Sequence, residues 1–454
     1  MKRAKFFART ALGLALAMGV VAGTASPAIA KNDKAKPADS KGPANSKEFA
    51  TASVALQKTL SDAQPIIVRF NAAQGTAKDA VLAELKTSMA GATAQLSAAE
   101  LAIKTPGDRI LAGRWGMMIA TVTGDNKLLQ HAAQNVVDSG VAPAADTNYN
   151  SFRLGTAAYA NGDYPLAIKA LTPVVAANYP DDNAVQLLAD AHSRTGQPAL
   201  GLAVLKAAVD ARKAAGQTIP SDWFERAVQV SYKAKLSNET MYWATERLNA
   251  YPIQFNWVSA AQITREAQHY STAESIDVSR LLAWSGALNV NNQSVQREYV
   301  EYLQTAVGRA GVLYPGEVIK IVNQGLAVKA LQRTDPFVSD ALTESNRRLA
   351  ADKASLPGLE RDARAPNASA KITQSAADTF LSYEMYAKAE DLYKIAMTKP
   401  GANLMTLNLR MGMAQLGQSK TADAQSSFAK VEGNLKPLAR LWSILAAGKG
   451  LSAK

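Results

Sequence analysis

From residue 48 almost to the C-terminus, apolar residues recur three and four positions apart, the spacing that gathers them on one side of a helix. β-branched alternation is scarce and alanine is abundant. Short Gly, Pro or Asn punctuation returns about every fifteen to twenty residues. The pattern predicts an all-α chain of short helices joined by tight turns. Strands enough for a nucleotide-binding sheet are missing. Residues 48–106 read as two or three longer, alanine-rich amphipathic helices, a divergent N-terminal cap or bundle. No stretch beyond the first thirty residues is long and apolar enough to predict a membrane span.

The N-terminus has a different texture. Lys2, Arg3, Lys5 and Arg9 precede an apolar run from Ala11 to Val21, and Ala28-Ile29-Ala30 follows. A basic start, a short apolar core and a small-x-small close predict a cleaved signal peptide over residues 1–30 and export to the periplasm. The apolar core is too short for a permanent anchor across ~30 Å of hydrocarbon. Residues 31–47 are rich in Lys, Asp, Pro and Ser and predict a disordered leader. Losing the first thirty residues removes four basic groups and no acidic one, so the formal charge falls from +12 to +8. That balance permits contact with anionic surfaces or polymers without demanding it. Nucleic acid is not an expected partner. With no cysteine in its 454 residues, the chain forms neither disulfides nor thiolate metal sites.

An internal repeat explains the length better than several globular domains. In 148–181 the key positions are Leu154, Gly155, Tyr159, Gly162, Asp163, Tyr164, Ala167, Leu171 and Pro180. Gly162 and Gly196 are 34 residues apart, as are Gly155 and Ala189, Leu171 and Leu205, and Leu154 and Leu188. A second pair of units joins Ala377 to Gly412, Ala389 to Ala424 and Tyr393 to Phe428 at an interval of 35. Both stretches resemble the tetratricopeptide repeat. Each position has a mechanical purpose. Gly155 lets two helices approach, Gly162 takes a positive φ at a helix end, Asp163 caps the next helix and Leu171 fills the seam. Gly417 comes about two positions early, which predicts an altered turn. The resemblance implies an α-solenoid of helical hairpins: repeats over 107–219, divergent helical repeats over 220–369, clear repeats over 370–432, and a capping helix with a tail over 433–454. The chain is also similar to uncharacterised exported tetratricopeptide-containing proteins of alphaproteobacteria, through Tyr314-Pro315-Gly316-Glu317, Asn323-Gln324-Gly325 and Leu409-Arg410-Met411-Gly412-Met413-Ala414.

Chemistry-bearing signals are few. His131, His192 and His269 fall in separate repeat units, and no two histidines stand three or four apart, so no metal site is expected. No nucleophile elbow and no phosphate loop are present. No catalytic residue and no cofactor are therefore expected, and the chain reads as a non-enzyme. The aromatic block 223–257 has two readings: seam filling, or an exposed strip that grips a peptide or sugar polymer. Trp223 and Phe224 are adjacent, as are Tyr242 and Trp243, so one of each pair is expected near a groove or the surface. On the binding reading the candidates are Trp223, Tyr242, Trp243, Trp257, Arg265 and Tyr299. The expected function is a periplasmic scaffold that holds a protein or peptide of the cell envelope. The alternative is a helical-repeat protein that binds or cleaves polysaccharide, an anionic one included.

Overall fold

The computed structural model describes residues 44–290, 295–308 and 312–451. The expected signal peptide and residues 31–43 of the expected leader lie outside the described residues. The leader ends earlier than its composition suggests. Ser46 already caps the first helix, and its backbone N–H and hydroxyl each donate to Asp108 at 2.8 Å. Among the described residues every regular element is helical. The described residues fall into two compact units, divided after Gly216.

The first unit begins with four helices where two or three were expected: α1 (Lys47–Ala52), α2 (Val54–Ala72), α3 (Gly75–Ser88) and α4 (Ala92–Glu100). Phe49, Leu56, Leu60, Ile67, Leu85 and Leu96 form their shared core. Three hairpins follow: α5 (Pro106–Thr123) with α6 (Asn126–Asp138), α7 (Ala144–Asn161) with α8 (Tyr164–Ala176), and α9 (Asn183–Arg194) with α10 (Pro198–Ala214). Each helix packs mainly on those before and after it, and α7 also touches α9. Such nearest-neighbour stacking is the architecture of a helical repeat.

Local chemistry sets these hairpins. Thr105 and Asp108 make a reciprocal capping box at the start of α5. Asp163 accepts from the Leu166 N–H at 3.2 Å and starts α8. Gly162 ends α7 at φ 82°, a conformation that a side chain would strain. At Gly155 a Cβ would lie 2.4 Å from Leu171 Cγ, so the bare backbone is what lets α7 and α8 close on each other. Leu154, Ala158, Ala167, Leu171 and Leu188 are all buried along these seams.

The second unit pairs α11 (Ser221–Lys233) with α12 (Ser237–Ala250), α13 (Gln254–Gln268) with α14 (Thr272–Trp284), and α15 (Gln296–Val307) with α16 (Pro315–Ala327). A single long helix, α17 (Pro336–Arg364), then breaks the hairpin alternation. The repeats resume with α18 (Ala370–Ser382), α19 (Tyr386–Met397), α20 (Leu404–Gly417) and α21 (Thr421–Ala429), and α22 (Lys436–Ile444) closes the series. Gly417 is not a turn residue. It sits inside α20, where a Cβ would meet the Tyr386 ring at 2.7 Å, and Ser419 supplies the positive φ instead. The last helix does more than cover α21. It also packs on α12, α13 and α14. Trp257 Nε1 donates to the Lys449 carbonyl at 3.3 Å, and the Leu451 N–H donates to the Ser285 carbonyl at 2.7 Å.

Candidate interaction surfaces

Burial divides the six residues singled out from the sequence. Trp223, Trp243, Trp257 and Tyr299 expose 2%, 1%, 0% and 0% of their surface. Side chains this covered offer a partner nothing to stack on, and they serve as core. Phe224 lies 6.3 Å from Trp243 and 6.2 Å from Tyr251 between ring centroids, so one aromatic cluster fills the α11–α12 seam. The expectation that Trp223 or Phe224 reaches the surface is overturned, because both are buried. Adjacent helix positions can share that fate only when neighbours cover more than one side of the helix. Tyr299 donates its hydroxyl to the Leu288 carbonyl at 3.0 Å. Tyr242 is half-buried, its ring edge-on to Trp243 at 5.2 Å. Arg265 keeps 18% of its side chain exposed and pairs with Glu298 and Glu301. The six are thus not brought together as one strip.

The first unit presents an accessible face that the sequence did not flag. It is built from α5, α7 and α9, held together by polar side chains. Arg114 pairs with Asp146 at 2.8 Å, Arg153 Nη2 donates to Thr121 Oγ1 at 3.0 Å, and the Tyr159 hydroxyl donates to Asp190. Tyr149, Phe152 and Arg153 follow at helical spacing on α7. Tyr149 is 48% exposed, and Phe152 and Arg153 are half-buried. The Phe152 ring lies 5.3 Å from that of Tyr179. Burial, with the neighbouring Tyr149 and Asp181, pushes the Tyr179 hydroxyl above its ordinary pKa. It therefore remains a neutral donor at physiological pH. Aromatic and arginine side chains grouped in this way are the usual anchors of a protein interface.

The second unit carries the opposite feature, a charged network sealed from solvent. Arg280 donates to Glu317 through Nε at 2.8 Å and Nη2 at 2.7 Å, and to Asp277 through Nη1 at 3.2 Å. Arg410 donates to Asp277 at 2.9 Å and to Asp378 at 2.6 Å. The hydroxyls of Tyr302 and Tyr393 donate to Glu317 and Asp378 at 2.6 Å and 2.7 Å. All seven residues are buried. Desolvation pushes Asp277 upward against the pull of Arg410 and Arg280. It also opposes the charge of Arg280, but Glu317 and Asp277 outweigh it and hold the guanidinium protonated. Every partner is satisfied within the fold, so the arrangement ties α14, α16, α18 and α20 together. Charged residues inside apolar helices, such as Arg280 before Leu281-Leu282, were the available signal; their pairing over 133 residues of sequence was not. Among the described residues no cluster of three or more His, Asp or Glu could hold a metal ion. His269 instead ends α13 at φ 49°.

Among the described residues no helix is long and apolar enough to cross a membrane. No model of a known protein family matches the chain, and no curated protein matches its sequence. Among solved structures, a chain of Naa15/Naa10 bound to HypK-THB is similar over 87% of this chain and 70% of its own, with 11% identity and a TM-score of 0.21. A circular tandem repeat protein with novel repeat topology and enhanced subunit contact surfaces is similar over 88% of this chain and 84% of its own, with 10% identity and a TM-score of 0.11. Neither superposes closely enough to carry an argument about this chain. Its own hairpins identify it as a mostly helical repeat protein.

Proposed function

We propose that the chain is an exported scaffold of tetratricopeptide-like hairpins that holds a protein partner of the cell envelope on the α5–α7–α9 face. The observation that carries this reading is exposed Tyr149 beside half-buried Phe152 and Arg153, on a face that stacked hairpins hold rigid. A preorganised row of ring and guanidinium groups binds with little loss of side-chain freedom. The sequence supports the location through the basic, apolar and small-residue segments of residues 1–30. The proposal includes cleavage after Ala30 and release without an anchor. The 34-residue repeat, with glycine and alanine at its crossings, supports the tetratricopeptide assignment.

Crosslinking in intact cells, followed by mass spectrometry of the captured proteins, tests the reading. Tyr149→Ala with Arg153→Ala is expected to lower recovery of the partner about tenfold or more, the effect of losing two anchor residues. Fractionation and N-terminal sequencing of the same material read the location and the cleavage site. Equal capture by the double variant would remove this face from consideration.

A further inference from the structure

The second unit contains a cleft of about 430 Å³ at the junction of α13, α14, α15 and α17. That size lies within the range of small-molecule sites. Partly buried Arg265 and Glu301 line the cleft together with exposed Gln304 and Thr272. Tyr270 and Phe337 supply aromatic surface. Phe337 is 37% exposed although it lies in the first turn of α17. The polar wall is fixed before any ligand arrives. Gln262 donates to Glu298 at 2.5 Å, Glu298 is only 2% exposed and holds Arg265 at 3.4 Å, and Arg297 holds Glu301 at 2.9 Å. Arg265 completes the set through its pairing with Glu301.

The charges within this set cancel: Arg265 and Arg297 face Glu298 and Glu301. A charged ligand would gain little from it and would have to break an existing pair. Uncharged hydrogen-bonding groups nevertheless stand beside it. The exposed side chains of Thr272 and Gln304 bring a hydroxyl and an amide to the cleft. A fixed carboxylate and guanidinium, an amide, a hydroxyl and an exposed ring suit a molecule with many hydroxyls and one apolar face. A pyranose has both. Its adjacent hydroxyls bridge paired polar groups, and its C–H face stacks on an aromatic ring.

The geometry points to this cleft as a binding site for a short neutral oligosaccharide. It is separate from the scaffold face, which lies in the other unit, so each reading can fail without the other. It also replaces the aromatic block as the place where the chain meets sugar, and a neutral sugar replaces an anionic one.

Calorimetric titration of the full chain with maltotriose, cellotriose and chitotriose, beside trigalacturonate as the charged control, tests the site. One neutral trisaccharide is expected to bind saturably with a Kd of roughly 0.1–1 mM. Phe337→Ala and Gln304→Ala, both at exposed positions, are expected each to weaken that binding about tenfold while the melting temperature stays unchanged. Tyr149→Ala with Arg153→Ala should leave it intact. Failure of all three neutral sugars to bind at about 10 mM would overturn the inference. So would affinity indifferent to both cleft substitutions, tighter binding of trigalacturonate at low salt, or occupation of the cleft by an extended peptide that excludes the sugars.

Discussion

At Lys235 the backbone adopts φ 57°, a left-handed conformation that costs a side chain free energy. His269, Lys329, Glu384 and Ser419 do the same at other helix ends of the second unit. The first unit uses Gly124, Gly162 and Gly196 at equivalent points. This contrast explains what could be read from the sequence. Where glycine marks the turn, as at Gly162 and Gly196, the 34-residue period announces itself. Where Lys235 and His269 turn the chain, only the apolar spacing remains, and the hairpins over 220–365 follow mostly from continuity. The same difference yields a prediction. Lys235 is exposed, so Lys235→Gly relieves the turn without disturbing packing. Partly offset by the greater freedom of glycine in the unfolded chain, it should raise stability by about 0.5–1 kcal/mol, read as a higher denaturation midpoint.

Among elements, α19 shows how a carboxylate fastens neighbouring helices. Burial works against the charge of Glu390, but Lys394, Lys420, Gln418 and Gln415 all donate to it and lower its pKa from 4.5 to about 2. A folded-state value below the unfolded one stabilises the fold fully above pH 4.5. That contribution declines as the pH falls towards 2, since the unfolded chain takes up the proton first. It is on the order of 2 kcal/mol, discounted because the two lysines are about half in solvent. Urea titrations at stepped pH should show this decline in the wild type and a flatter profile in Glu390→Gln; identical slopes would sink the assignment. The sequence placed Ala389 and Tyr393 on the seam by their 35-residue echo. It gave no sign that Glu390, between them, reaches across to α20 and the turn that follows. Helical spacing reports which face of an element is apolar, whereas a polar bond between elements depends on where the next hairpin lies. The candidate binding residues failed for the same reason. Trp257 fits an exposed strip as well as a seam until the return of the C-terminal segment over α13 is known.

On the scale of whole units, the two halves of the chain have different kinds of topology. Contacts among α5–α10 are local, each hairpin resting on the next, and such arrays fold by propagation. The second unit adds bonds between residues far apart in sequence, from Trp257 to Lys449 and from Asp277 to Arg410. Long loop closures precede the reward of these contacts, and that slows folding. A variant ending at Val431 loses Leu438, Leu441 and Trp442, all fully buried. The loss should exceed about 5 kcal/mol, comparable with the entire stability of a domain. Hydrogen exchange is expected to show protection lost across α11–α21 and kept across α5–α10. Retained protection in the second unit would show that α22 is dispensable to it.

The return of α22 onto α12, α13 and α14 also gives the order of synthesis a physical meaning. A ribosome makes the earliest helices of this unit long before the segment that seals them. Until residues 436–451 emerge, Trp257 lacks its cover and the Ser285 carbonyl its donor. A chain still nascent, or nicked, before residue 436 therefore displays the apolar surface that α22 covers. The unit is therefore sealed by residues made well after the helices they cover, so its earlier hairpins wait for α22 before their seam closes.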